Sequence, residues 1–211
     1  MASKKQKWYV VWQGRKPGVY NSWKECEVQV KGIDAKYKSF SSRSSAEEAY
    51  GQHFSEHYGK KVFESGLSKA ELAKIGNPIT ISIAVDGAGN NQTGKVEYRG
   101  VFVETNTELF SAGPFVDGTN NLVEFLALVH ALAYCQKHKI EYPIYSDSRT
   151  AMSWVRNKTC RSKKLPNQKN QEIFALVRRA ENWLKNNRIS NKILKWETKA
   201  WGEIPADYGR K

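Results

Sequence analysis

The chain has 211 residues, 40% hydrophobic and 12% aromatic, enough for one large core or two small ones. A mean hydropathy of −0.65 with no long apolar run excludes a membrane-spanning helix, and the basic start MASKKQKWYVVWQG lacks a signal peptide's apolar stretch, so no export is expected. Cys26, Cys135 and Cys160 make neither a CxxC pair nor a disulfide framework, which points to a reducing, cytoplasmic location, and the net charge of +13 suits nucleic acid, an anionic membrane or acidic proteins.

In chain order, WYVVW (8–12) is a short β-rich run and GRKPG (14–18) a turn with Pro17 and Gly18 as breakers. VYNSW (19–23) reads as a second strand. Ser22 is placed to cap a helix through WKECEVQVKG, stopped by Gly32. AKYKSF (35–40) is a third strand, and a helix is expected over AEEAYGQHFSEHYG (46–59). This ββαβα module, residues 1–63, is too small to hide all its Trp and Tyr, so an aromatic surface is expected. Residues 64–77 read as a polar linker with one helical turn.

The second domain is expected over 78–211. ITISIAV (79–85) is a strong strand ending at Asp86-Gly87, and KVEYRGVFVET (95–105) and ELFSAGPF (108–115) follow as an antiparallel meander. A helix runs from Asn120 to about Lys137, with Phe125, Leu128, Val129 and Leu132 at helical spacing. IEYPIYS (140–146) is a strand, and a helix begins at Ser148. The basic stretch KTCRSKKLPNQKN precedes an amphipathic helix over 171–187 and a strand over 189–198. The order βββαβααβ predicts a mixed α/β domain with helices on the sheet. Charge is shared between the parts: residues 1–65 carry 12 Lys+Arg and 7 Asp+Glu (12 − 7 = +5), and residues 66–211 carry 22 and 14 (22 − 14 = +8).

Four carboxylates stand at expected element boundaries: Asp86 in VDGAGN, Glu124 in GTNNLVEFLAL, Asp147 in IYSDSRTA and Asp207 in EIPADYGRK. Two follow hydrophobic strands; if these are parallel, both acids reach one sheet edge, where ligands of α/β folds gather. Each has an ordinary reading: Asp147-Ser148 as a helix cap, Asp86-Gly87 as a turn, Asp207 after Pro205 as the cap of a short helix. Together they read better as an all-oxygen site for Mg²⁺ or Mn²⁺, since clustered acids need cations. His53 and His57 stand at i, i+4 without acidic or Cys partners and read as fillers rather than ligands.

VDGAGN, GTNNLVEFLALVHAL and IYSDSRTAMSWV resemble the signature blocks of type 1 ribonuclease H over residues 78–211. The resemblance implies a ribonuclease H-like mixed five-stranded sheet with flanking helices. It implies Asp86, Glu124, Asp147 and Asp207 as catalytic ligands of two Mg²⁺ ions, Mn²⁺ being an alternative. The reaction implied is hydrolysis of RNA in RNA–DNA hybrids, leaving 5′-phosphate and 3′-hydroxyl ends. Asn90, Asn120 and Asn121 are candidate readers of RNA, and Thr119 a candidate holder of a DNA phosphate, with helix capping as the ordinary role of the two asparagines. WYVVWQGRKPGVYNSWKECEVQVKG and AKYKSF resemble the hybrid-binding domain that precedes many such enzymes, which takes RNA–DNA hybrid or double-stranded RNA. That implies Tyr9, Trp23, Tyr37 and Lys38 as its contact residues, whereas Trp8, Trp12 and Phe40 read as core.

The sequence departs from the family in TKAWGEIPAD, which has no His before Asp207, and in PADYGRK, where the family shows an N-x-x-A-D-like motif followed by a helix. Glu203, Lys199 and Trp201 are candidates for part of the missing His's space. These departures motivate one alternative, a hybrid-binding protein with weak or lost nuclease; a second alternative, a resolvase-like DNA nuclease of related fold, is opposed by TNN and the N-terminal module. A monomer is expected.

Overall fold

A computed structural model describes residues 6–54, 57, 63, 65–90 and 93–209. The chain divides into two compact units, Met1–Glu64 and Ser65–Lys211.

In the first unit, β1 (Trp8–Gln13) lies between β2 (Gly18–Tyr20) and β3 (Lys36–Phe40), all antiparallel. Period-two alternation gives β1 an apolar residue on each face. Val10 packs with Phe40 and with Ala46 and Ala49 of α2 (Arg43–Tyr50), and Trp8 and Trp12 join that cluster as core. Val11 packs with Cys26 and Val30 of α1 (Trp23–Val30). Ser22 caps α1 as expected, accepting from the Glu25 amide at 3.3 Å. The second helix differs from expectation. It starts three residues earlier because Ser42 caps it through the Ser45 amide at 3.1 Å, and it ends at Tyr50. Of the 46–59 stretch, residues 55, 56 and 58–59 lie outside the described residues.

The supposed linker belongs, from Ser65 on, to the second unit. It carries α3 (Lys69–Ile75), started by a capping box in which Ser68 and Glu71 satisfy each other's amides. The five-stranded sheet has the order β6-β5-β4-β7-β8. Here β4 (Ile83–Asn90), β5 (Lys95–Phe102) and β6 (Thr107–Val116) form the antiparallel meander. β7 (Ile144–Ser146) and β8 (Ile193–Lys195) add in parallel. The helices are α4 (Asn120–His138), α5 (Arg149–Arg156), α6 (Gln171–Asn186) and the single-turn α7 (Thr198–Trp201). Leu122, Phe125, Leu128 and Leu132 of α4 are fully buried with Ile83, Val85 and Ile144 of the sheet. Each such side chain contributes about 1.5–3 kcal/mol. The other face carries a smaller cluster of Ala84, Val101, Tyr145, Trp196, Ile204 and Ala206.

Three strands depart furthest from their sequence outline. β4 starts at Ile83, after a bend in which the Ser82 hydroxyl donates to the Ile79 carbonyl at 2.6 Å. It then continues through Asp86-Gly87 to Asn90, so Asp86 lies within a strand and not at a turn. β7 is short because Pro143 has no amide to give, and the Asn191 side chain takes the Ile140 and Tyr142 carbonyls, each at 2.9 Å. That leaves β8 only the partners at 144–146.

Candidate active site

β4 and β7 run parallel with Ala84 opposite Tyr145, so Asp86 and Asp147 each follow two residues later on the same side of the sheet. α4 supplies the third acid by close approach. A Cβ on Gly87 would meet the Val123 side chain at 2.6 Å and the Glu124 amide nitrogen at 2.9 Å. One on Gly89 would meet Asn120 Oδ1 at 2.2 Å. The glycines of VDGAGN are therefore strand residues whose missing side chains let the first turns of α4 lie against β4.

Asp86, Glu124 and Asp147 each bring one carboxylate oxygen within 4.8 Å of the others. Burial pushes the Asp86 carboxyl up to about 7, helped by repulsion from Asp147 and Glu124 and opposed by the Gly87 amide. Burial also raises Glu124, against a hydrogen bond from Ser148, and raises Asp147, against the nearby Lys195 ammonium. Buried Glu124 Oε2 and Asp147 Oδ1 have no hydrogen-bond partner among the described residues. Ser148, not Asp147, caps α5, accepting from the Ala151 amide at 3.2 Å, so Asp147 is left free for another role. An octahedral cation with oxygens at about 2.1 Å spaces its ligand atoms about 3–4.2 Å apart. The 4.8 Å within which the three carboxylate oxygens lie is close to that span, and the orphaned oxygens have the donor chemistry for such an ion.

Asp207 lies outside this cluster but near it, since its charge raises both Asp86 and Asp147. It caps no helix; its Oδ2 accepts from the Gly209 amide at 3.0 Å. Of the three candidates for the missing His's space, Glu203 acts electrostatically on Asp147. Trp201 is tied down through Nε1 to the Gly76 carbonyl at 2.8 Å, and the Lys199 carbonyl accepts from Ser65 at 2.7 Å.

Asn90, Thr119 and Asn120 line one cleft of about 270 Å³ between the β4–β5 turn and the start of α4. Thr119 is the cap of α4, accepting from the Leu122 amide at 3.4 Å. Asn120 and Asn121 are therefore its first two helical residues, both exposed. An exposed helix N-terminus of this kind suits phosphate.

Residues 79–198, more than half the chain, match the RNase H family. The chain belongs to the ribonuclease H family. Residues 7–50 match the ribonuclease H1 N-terminal domain. The protein is similar to the ribonuclease H of Schizosaccharomyces pombe, 24% identical over 261 residues, covering 98% of this chain and 97% of that one. It is also similar to the crystal structure of RNase H1 from the halophilic archaeon Halobacterium salinarum NRC-1, with 19% identity and a TM-score of 0.36 over 55% of this chain and 83% of that one. A third relative is LC11-RNase H1, isolated from compost by a metagenomic approach, with 19% identity and a TM-score of 0.35 over 56% of this chain and 85% of that one.

This ribonuclease H is thus an enzyme of a divalent-metal-dependent family with an acidic cluster fit for metal. Asp207 lies beyond the matched segment. In the first unit, Tyr9 and Trp23 have ring centroids 5.5 Å apart, and Trp23 and Tyr37 5.8 Å. Trp23 is 42% exposed and Tyr37 38%, so the three make an aromatic surface beside α1. Lys38 is not with them. It lies across from Val10 on the α2 side, its Nζ donating to the His57 carbonyl at 2.7 Å. His57 stacks on Trp12 with ring centroids 5.6 Å apart. Sequence reading missed Arg99 and Lys195. Arg99 is opposite Asp86 and Lys195 opposite Ser146, neighbours that only strand register reveals.

Proposed function

We propose that this ribonuclease H hydrolyses the RNA strand of RNA–DNA hybrids using two divalent cations, Mg²⁺ or Mn²⁺. Asp86, Glu124 and Asp147 hold them, with Asp207 completing the site. The observation that carries the reading is the trio of clustered carboxylates, Asp86 buried and Glu124 and Asp147 partly so, with two orphaned oxygens, beside the start of α4. When bound, the cations supply an activated water and neutralise charge on the phosphate and on the departing 3′-oxygen, giving 5′-phosphate and 3′-hydroxyl ends.

The chain's own residues orient the duplex around that centre. The exposed amides and Thr119 hydroxyl at the start of α4 suit a DNA-strand phosphate. Asn90, Asn120 and Asn121 offer amide donors and acceptors to 2′-hydroxyls and minor-groove edges, the features that distinguish RNA from DNA. Tyr9, Trp23 and Tyr37 provide flat surfaces for sugars and bases of a second stretch of hybrid, and Lys38 a cation on the opposite face of the small sheet.

Labelled RNA–DNA hybrid, duplex DNA and duplex RNA, each incubated with the protein and Mg²⁺ or Mn²⁺, test this reading. Cleavage confined to the RNA strand of the hybrid is expected, with 5′-phosphate products. Binding of hybrid without cleavage under either metal, or cleavage of duplex DNA, contradicts it.

A further inference from the structure

Asp207 sits in a segment, 202–209, that contains neither helix nor strand. Its amide closes a turn onto the Ile204 carbonyl at 2.8 Å, and Ile204 and Ala206 are buried against Trp196. Those apolar contacts fix where the segment docks. A directional tether comes from Arg99 of β5, whose strand partners are Asp86 of β4 and Ser111 of β6. Arg99 Nε donates to the Ala206 carbonyl at 2.9 Å and Nη2 to the Asp207 carbonyl at 2.6 Å. Its guanidinium carbon lies 4.6 Å from the centroid of the Tyr208 ring, and Nη1 is 3.7 Å from Glu108. The fork thus grips two successive main-chain carbonyls rather than the Asp207 carboxylate. An ammonium cannot reproduce that planar two-point grip.

We propose that Arg99 is a positioning residue, tying Asp207 to the strand pair that carries Asp86 so that the fourth carboxylate completes the cation site. This rests on the reading of Asp207 as a ligand. One strand pair then sets the relative placement of two acids that are distant in sequence.

The test is calorimetric titration of Mn²⁺ into the full-length protein without nucleic acid. Wild type, Asp207→Asn, Arg99→Lys, Arg99→Gln and the double variant Arg99→Lys/Asp207→Asn are compared, with thermal unfolding confirming that each is folded. Both Arg99 variants are expected to weaken the Asp207-dependent binding about tenfold or more, the scale for residues that orient ligands. The double variant is expected to bind no more weakly than Asp207→Asn alone. A wild-type isotherm for Arg99→Lys beside a weakened one for Asp207→Asn overturns the role of Arg99 alone, as do additive losses in the double variant. An unchanged isotherm for Asp207→Asn removes Asp207 from the cation site and overturns the proposal with it.

Discussion

Asp86 is the residue on which most of the site's electrostatics converge. Its carboxyl is raised to about 7 by burial and by repulsion from the neighbouring acids, so in the metal-free protein a proton occupies the place of a cation below that pH. Divalent binding is therefore expected to weaken by up to about tenfold per pH unit below 7 and to release a proton there. Titration at pH 6 in two buffers of different ionisation enthalpy reads that proton directly, and identical heats in both buffers would contradict it. The sign for stability is the reverse of the usual carboxylate. Because the folded value lies above the unfolded one, the contribution of this group to the metal-free fold is complete below about 4 and is lost as pH rises through about 7. Added divalent ion is thus expected to raise Tm more at pH 8 than at pH 5. The residue identities were legible because hydrophobic strands lead into Asp86 and Asp147 and TNN precedes Glu124. Arg99 was not, because its partners are 107 and 108 residues away and depend on strand register.

Among the elements, the contact of β4 with α4 builds the site. The reading of Asp86-Gly87 as a strand end failed because glycine has two uses that look alike in sequence: it turns a chain, and it lets another backbone come close. Here the second applies. Gly87→Ala sets a Cβ 2.9 Å from the backbone nitrogen of Glu124, which cannot rotate away as the Val123 side chain can. Denaturant unfolding is expected to show a loss of about 1–3 kcal/mol, the range for overpacked cores. The same variant should lose kcat, because Glu124 is carried by the displaced turn. Full stability with full activity would show that α4 does not depend on that approach. Strand boundaries were less legible than strand existence. Asn191 satisfies carbonyls from a distant loop, and Pro143 withdraws a donor, so β7 and β8 shrink for reasons no local pattern contains.

At the scale of the whole molecule, the charge excess is spread over both units, as expected if each meets phosphate. The aromatic surface of Tyr9, Trp23 and Tyr37 belongs to the unit without carboxylate chemistry, so its loss should affect binding alone. Trp23→Ala is expected to weaken hybrid affinity about tenfold, within the range for one base stacked on an aromatic ring. KM should rise with kcat unchanged, and a fall in kcat with unaltered affinity would contradict that division of labour. The proposed catalytic centre is the trio Asp86, Glu124 and Asp147. The most direct measurement is single-turnover cleavage of labelled hybrid by wild type and Asp147→Asn, at saturating protein with Mg²⁺ and again with Mn²⁺, alongside hybrid affinity. Cleavage of the RNA strand by wild type and its loss in the variant, at equal affinity, is the expected result. Equal cleavage rates in the two proteins would contradict it.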